Sequence, residues 1–232
     1  MQLNTDWSQS VIIYTPDLPW QGSPAGGIER RLLERDGAEQ ARATSVVRYA
    51  AGAHFPEHTH PLGEEIFVLV GTFSDSTGSY GPGTYIRNPP GSTHAPYSEE
   101  GCILFVKLRH FNPRDLQPVR INMAEARWSP GLVDGLTVLP LADFEGEHTA
   151  LVRWQPDTYF QPHRHYGGEE ILVLEGIFAD EHGQYPAGTW MRSPHGSQHQ
   201  PFSKEGCLIL VKTGHLPVPE DASQVRKMKE II

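Results

Sequence analysis

The chain has 232 residues, with 28 Asp and Glu against 19 Lys and Arg, a formal net charge of −9 and a mean hydropathy of −0.42. This balance describes a globular chain and points away from nucleic acid and anionic membrane surfaces as partners, since both require a basic face. No stretch approaches the roughly 18 apolar residues of a membrane span, the first ten residues lack the pattern of a secretory leader, and two cysteines make no disulfide framework, so the expected compartment is the cytoplasm.

Glycine (23) and proline (20) are abundant, as in turn-rich chains of short strands. In chain order, β-forming runs fall at 45–50, 65–70, 84–87 and 102–108. Turn signals at Thr77-Gly78, Gly81-Pro82-Gly83 and Pro89-Pro90-Gly91 separate them. A polar, proline-bearing stretch at 111–118 predicts a join between two domains, 1–115 and 116–232. Beyond it, corresponding runs fall at 150–154, 170–175, 189–192 and 207–212. A helix is expected only over 220–232, capped by Asp221 or Ser223. Short strands about ten residues apart predict an antiparallel sandwich or barrel.

The second half repeats the first. At an offset of 105, residues 58–107 lie on 163–212 without a gap and with 27 identities in 50 positions. Upstream the copies drift: the segment from Trp20 to Arg48 corresponds only loosely to that from Trp128 to Arg153. A two-copy period of this length is a duplicated domain rather than a solenoid.

Six of the 12 histidines fall into two identically spaced sets. His58, His60 and Glu64 are followed by His94; His163, His165 and Glu169 are followed by His199. On a strand, residues i and i+2 share a face, so each HxH pair can converge on one point. A glutamate heading an apolar strand is costly unless a cation compensates it. Three imidazoles and a carboxylate suit a divalent ion in each domain, one of Zn, Fe, Ni, Mn or Cu. Glu65 and Glu170 are the rival carboxylates.

These residues resemble the cupin superfamily. Gly52, His58, His60, Glu64 and Gly71 satisfy every spacing of its first motif, and Gly83, Pro89, Gly91 and His94 meet its second, with Ser98 in place of the family's Asn. In the second copy, His163, His165, Glu169 and Gly176, then Gly188, Pro194, Gly196 and His199, do the same, with Ser203 in the Asn place and Asp157 where the leading glycine belongs. The segment from His58 to Gly71, with Phe73, Asp75, Tyr80 and the run from Pro89 to Pro96, is similar to the cupin domain of ChrR-type anti-sigma factors. The resemblance implies an all-β fold of two tandem cupin domains, each a double-stranded β-helix or jelly-roll barrel. It also implies zinc at the four equivalent positions. Residues 1–45 contain no cysteine, so the helical zinc domain that grips the sigma factor in ChrR-type proteins is not expected here.

Other residues have two readings each. Cys102 and Cys207 are either redox-sensing thiols or small buried hydrophobes at strand starts. Arg87 and Arg192 either bind a substrate carboxylate or form outward salt bridges. Tyr80 and Tyr185 read as turn packing, and Trp20, Trp128, Trp154 and Trp190 as core or inter-domain packing. The resemblance favours a ligand- or redox-responsive regulatory module of the transcriptional stress response. The alternative is a metal-dependent dioxygenase or related cupin enzyme acting on a small oxo or acid substrate. A small-molecule ligand and a protein partner fit either reading; the sequence leaves the oligomeric state open.

Overall fold

The computed structural model describes residues 1–219; the helix expected over 220–232 lies outside them. Among the described residues the chain is β throughout, apart from one 3-10 turn at Thr15–Asp17. Among the described residues no helix is long and apolar enough to cross a membrane. The chain divides into two compact units: Met1–Thr5 with Tyr14–Arg127, and Asp6–Ile13 with the chain from Trp128 onward. This differs from the expected division at 115/116, because residues on both sides of that point are claimed by the sheet of the first unit.

In the first unit, one sheet runs in the order Gln2–Leu3, Ile28–Asp36, Arg42–Tyr49, Cys102–Leu108, Glu64–Gly71, Thr84–Asn88, Val119–Asn122. Every pairing in it is antiparallel. A smaller sheet of Gly78–Tyr80, Phe73–Asp75, Tyr97–Ser98 and Ala53–His54 faces it, and a ribbon of His58–His60 with Ser92–His94 completes the unit. Ile66, Val68, Ile86, Leu104 and Val106 point inward and pack with Tyr49 and Phe73. The alternate residues Glu65, Phe67, Tyr85, Arg87, Phe105 and Lys107 are buried too. Burial of both faces explains why Glu64–Gly71 reads as a continuous apolar run rather than an alternating one.

The second unit repeats this plan in the order Ser129–Pro130, Leu136–Phe144, Glu147–Trp154, Cys207–Thr213, Glu169–Asp180, Thr189–Ser193, Val11–Tyr14. Its inner core joins Ile171, Val173, Ile209 and Met191 to Trp154 and Phe178. All eight β runs expected from the sequence are strands, several extended by a few residues.

Two motif positions have backbone explanations. Gly71 and Gly176 have φ of 72° and 68°. A Cβ there would fall 2.1 Å and 2.0 Å from the carbonyl oxygens of Gly101 and Gly206. Gly52 has φ 74°, and Asp157, its counterpart, keeps the left-handed conformation at φ 58°. Asp is among the few residues that tolerate it. Gly176→Ala is therefore expected to cost ~1–3 kcal/mol from backbone conformation alone, with the carbonyl clash added. Asp157→Gly should stay within ~1 kcal/mol of the parent. Urea denaturation of the full chain measures both, and equal effects would contradict this account.

Candidate metal centres

The ribbon determines how the histidines meet. His58 lies directly opposite His94 and His60 opposite Ser92, so His58, His60 and His94 share one face. Their ring centroids are 4.6–4.9 Å apart. In the second unit His163 pairs with His199, and the rings of His163, His165 and His199 are 4.6–4.8 Å apart.

Each glutamate enters from the neighbouring strand. Glu64 Oε2 lies 3.3 Å from His60 Nε2 and 3.5 Å from His94 Nε2. Glu169 Oε2 lies 3.4 Å from His165 Nε2 and 3.6 Å from His199 Nε2. The two centres differ in closure. In the second, donor atoms of His163, His165, Glu169 and His199 all lie within 4.8 Å of one another; in the first, only those of His58, His60 and His94 do. Glu64 is held by Asn88, whose Nδ2 donates to its Oε2 at 2.9 Å. The second unit has Ser193 at that register position.

The outer imidazole nitrogens are also occupied. His94 Nδ1 lies 3.0 Å from Asp75 Oδ2, and His199 Nδ1 lies 3.4 Å from Asp180 Oδ2. His58 and His163 Nδ1 face the carbonyls of Pro56 and Gln161 at 2.8 Å and 3.1 Å. A proton on Nδ1 leaves the Nε2 lone pair facing the centre, the arrangement in which imidazole binds a metal. The contacts of Asp75 and Asp180 with these rings were missed by sequence reasoning, although the 105-residue offset superimposes the two residues.

The electrostatics agree. Burial, with help from His94 and Arg109, brings His60 down to about 4. Burial, with His199 and His163, brings His165 down to about 3. Burial also lowers His58 and His163. It pushes Glu64 above the usual carboxylate range and Glu169 up to about 7. For His199 burial acts downward, but the Asp180 hydrogen bond and the charges of Glu169 and Asp180 outweigh it and raise the group. Burial works against Asp75 as well, yet hydrogen bonds with His94 and Thr77 hold it at about 2. Near neutral pH the HxH pairs His58–His60 and His163–His165 thus present uncharged lone pairs beside a reluctant carboxylate.

These residues fit a cation. His165 Nε2 and His199 Nε2 are buried without a hydrogen-bond partner. In the first unit His60 Nε2 and His94 Nε2 face one another at 3.0 Å with Glu64 Oε2 beside them. Three acceptors converging out of water call for a shared positive charge.

Arg87 and Arg192, for which a substrate contact and an outward salt bridge were both open, stand on the opposite face of the sheet from the histidines. Arg87 pairs across strands with Glu65, while Asn88 pairs with Glu64. Its Nε lies 3.3 Å from Glu65 Oε1, its Nη2 donates to Asp115 Oδ2 at 2.6 Å, and its guanidinium lies over Phe111 at 4.1 Å. Arg192 pairs with Glu170 and donates to the Asp6 carbonyl at 3.0 Å. Alternation is the physical reason: once Glu64 and Glu169 face the histidines, Glu65, Glu170 and the arginines opposite them face away. Cys102 and Cys207 are buried, and burial raises both thiols, Cys207 to about 11.

The first unit contains a cavity of about 460 Å³ that reaches His58, His60 and Glu64. Its walls are mainly apolar, including Ile66, Phe73, Leu104 and Val106, and Arg30, Glu39 and Arg109 also line it.

Two antiparallel barrels, each closing over an HxH ribbon, a leading glutamate and a third histidine, define a tandem cupin. The family model of the ChrR cupin-like domain matches residues 8–112 and again 116–217, and the chain belongs to that family. No curated protein matches it. Among solved structures, a proposed dioxygenase from Nostoc punctiforme PCC 73102 is similar with TM-score 0.74 at 16% identity, over 91% of this chain and 85% of that one. The protein YlbA from E. coli gives TM-score 0.71 at 15% identity, over 92% and 94%. Oxalate decarboxylase from Lactobacillus farciminis, solved as a formate complex, gives 0.60 at 13%, over 88% and 86%. At these identities the likeness is one of fold.

Two outcomes are expected. Asp75→Ala frees the His94 ring and should weaken metal binding by the first unit about 10–100-fold, read by competition with a chromogenic chelator; unchanged affinity would remove Asp75 from the site. Arg87→Ala removes the buried guanidinium that Glu65 and Asp115 share and should cost ~3–5 kcal/mol of stability. Calorimetry with metal analysis checks this, since the surviving fold should keep its metal.

Proposed function

We propose that each unit binds one divalent metal ion, and that the first unit uses its ion to transform a small organic substrate. The ligands are His58, His60, His94 and Glu64 in the first unit, and His163, His165, Glu169 and His199 in the second. The observation that carries the enzymatic reading is the cavity ending on His58, His60 and Glu64. A ligand filling it lies against the metal centre and excludes water. A bound ion of this ligand set supplies a Lewis acid and, for iron, copper or manganese, a redox centre. The chain's own contribution is positional. Asp75 holds His94 by its outer nitrogen, Asn88 holds Glu64, and the apolar wall keeps the substrate body out of water. This supports a dioxygenase or related cupin enzyme.

A second reading, a ligand-responsive regulatory module, is favoured by the match to the ChrR cupin-like domain. The raised, buried thiols of Cys102 and Cys207 argue that any signal would come from metal or ligand occupancy rather than cysteine oxidation.

The test is metal analysis of protein purified without added metal, followed by oxygen uptake and product analysis with keto acids and β-diketones. Two equivalents of metal with turnover that His94→Ala abolishes are expected. Metal without turnover across the panel would favour the regulatory reading, and absence of metal after reconstitution would overturn both.

A further inference from the structure

The two units share their metal-site residues but not what surrounds them. Arg109 follows the strand Cys102–Leu108 and lines the cavity of the first unit beside His60 and Gly63. It is a non-glycine residue in the left-handed region, at φ 61°. Its counterpart at the 105-residue offset is Gly214, at φ 79°. One copy therefore meets the backbone requirement with glycine, while the other places an arginine there against its conformational preference. The guanidinium forms no hydrogen bond or ion pair among the described residues. Strain of this kind persists where a side chain is needed in one place.

The second cation of the cavity follows the same pattern. Arg30 pairs across strands with Val47, and Val138 pairs with Val152, the counterpart of Val47. The second unit thus has valine where the first has Arg30. Arg30 is neutralised by Glu39, its two terminal nitrogens donating to that carboxylate at 3.1 Å and 3.3 Å, while its buried Nε has no partner. With that pair balanced and Glu64 committed to the histidines, the cavity wall retains one uncompensated positive charge, on Arg109.

We propose that Arg109 is a specificity-determining residue that makes the first unit a receptor for a monocarboxylate with an apolar body, and that the second unit has no such selectivity. This rests on the reading of the cavity as a ligand site beside a metal, and it names the ligand class. The carboxylate accepts from the Arg109 guanidinium, with the Arg30 Nε–H as a further donor. The apolar body lies along Ile66, Phe73, Leu104 and Val106.

The test is titration calorimetry of the full metal-loaded chain with hexanoate and with hexanamide, its uncharged isostere. Hexanoate should bind once per chain and roughly ten- to a hundredfold more tightly, as a hydrogen bond to a charged group would give. Arg109→Gly should abolish the preference while keeping metal content and an equal or higher melting temperature, since glycine is at ease at this φ. Arg109→Asn, which also tolerates this backbone, replaces it should the glycine variant melt early. A preference that survives both substitutions, equal binding of the two probes, or two hexanoates per chain would overturn the proposal. Metal content of the same samples separates it from the reading beneath. A chain that holds no metal but still discriminates through Arg109 would refute the metal reading alone. A metal-loaded chain that does not discriminate would refute this one alone.

Discussion

Glu64 and Glu169 place a carboxylate inside a barrel, where an uncompensated ion costs several kcal/mol after relaxation. The hydrogen bond from Asn88 to Glu64 offsets part of this, since a bond to a charged group is worth about 1.5–3 kcal/mol. Glu169 has a serine at the position of Asn88 and rises to about 7. Around each carboxylate the architecture serves one end: a short ribbon aims three ring nitrogens at it, and an aspartate on a further strand orients the third ring. A divalent ion resolves the strain in both units at once, because the imidazoles gain a partner and the carboxylate a counter-charge.

Much of this was legible because the spacing is strict. The single residue between His58 and His60, and equal intervals to His94 and His199, already put the rings on a common face, and the ribbon register His58↔His94 realises it. Two long strands were not legible. Ile28–Asp36 is crowded with charge and shifts register between Leu32 and Glu34, while Leu136–Phe144 contains Pro140 beside a similar shift. Such irregularities erase the alternation that marks a strand. The choice between the two readings of the arginines was not legible for another reason. The cross-strand pairings Glu65↔Arg87 and Glu170↔Arg192 decide which way they face, and pairing between distant strands leaves no mark in either segment. The cysteines are buried at strand starts, which matches the second of their two readings.

Duplication keeps what both copies need and lets the rest diverge. The metal-site residues, the aspartates behind them and the close-approach glycines recur at one offset. Residues just outside the gap-free block, such as Arg109 and Gly214, do not. Comparing the copies therefore separates the apparatus of the centre from the features that make one cavity chemically distinct from the other.

The strands Val11–Tyr14 and Val119–Asn122 bear on how the chain is made. Val11–Tyr14 borders Thr189–Ser193, and Val119–Asn122 borders Thr84–Asn88. During synthesis the first barrel finds its closing strand soon after the rest of its sheet emerges, and can seal while the ribosome still works. The early four-residue strand Val11–Tyr14 has no docking edge until Thr189–Ser193 has been translated. An early-made segment thus waits for a late-made one, and a chain arrested midway yields one finished sheet and one strand without a neighbour.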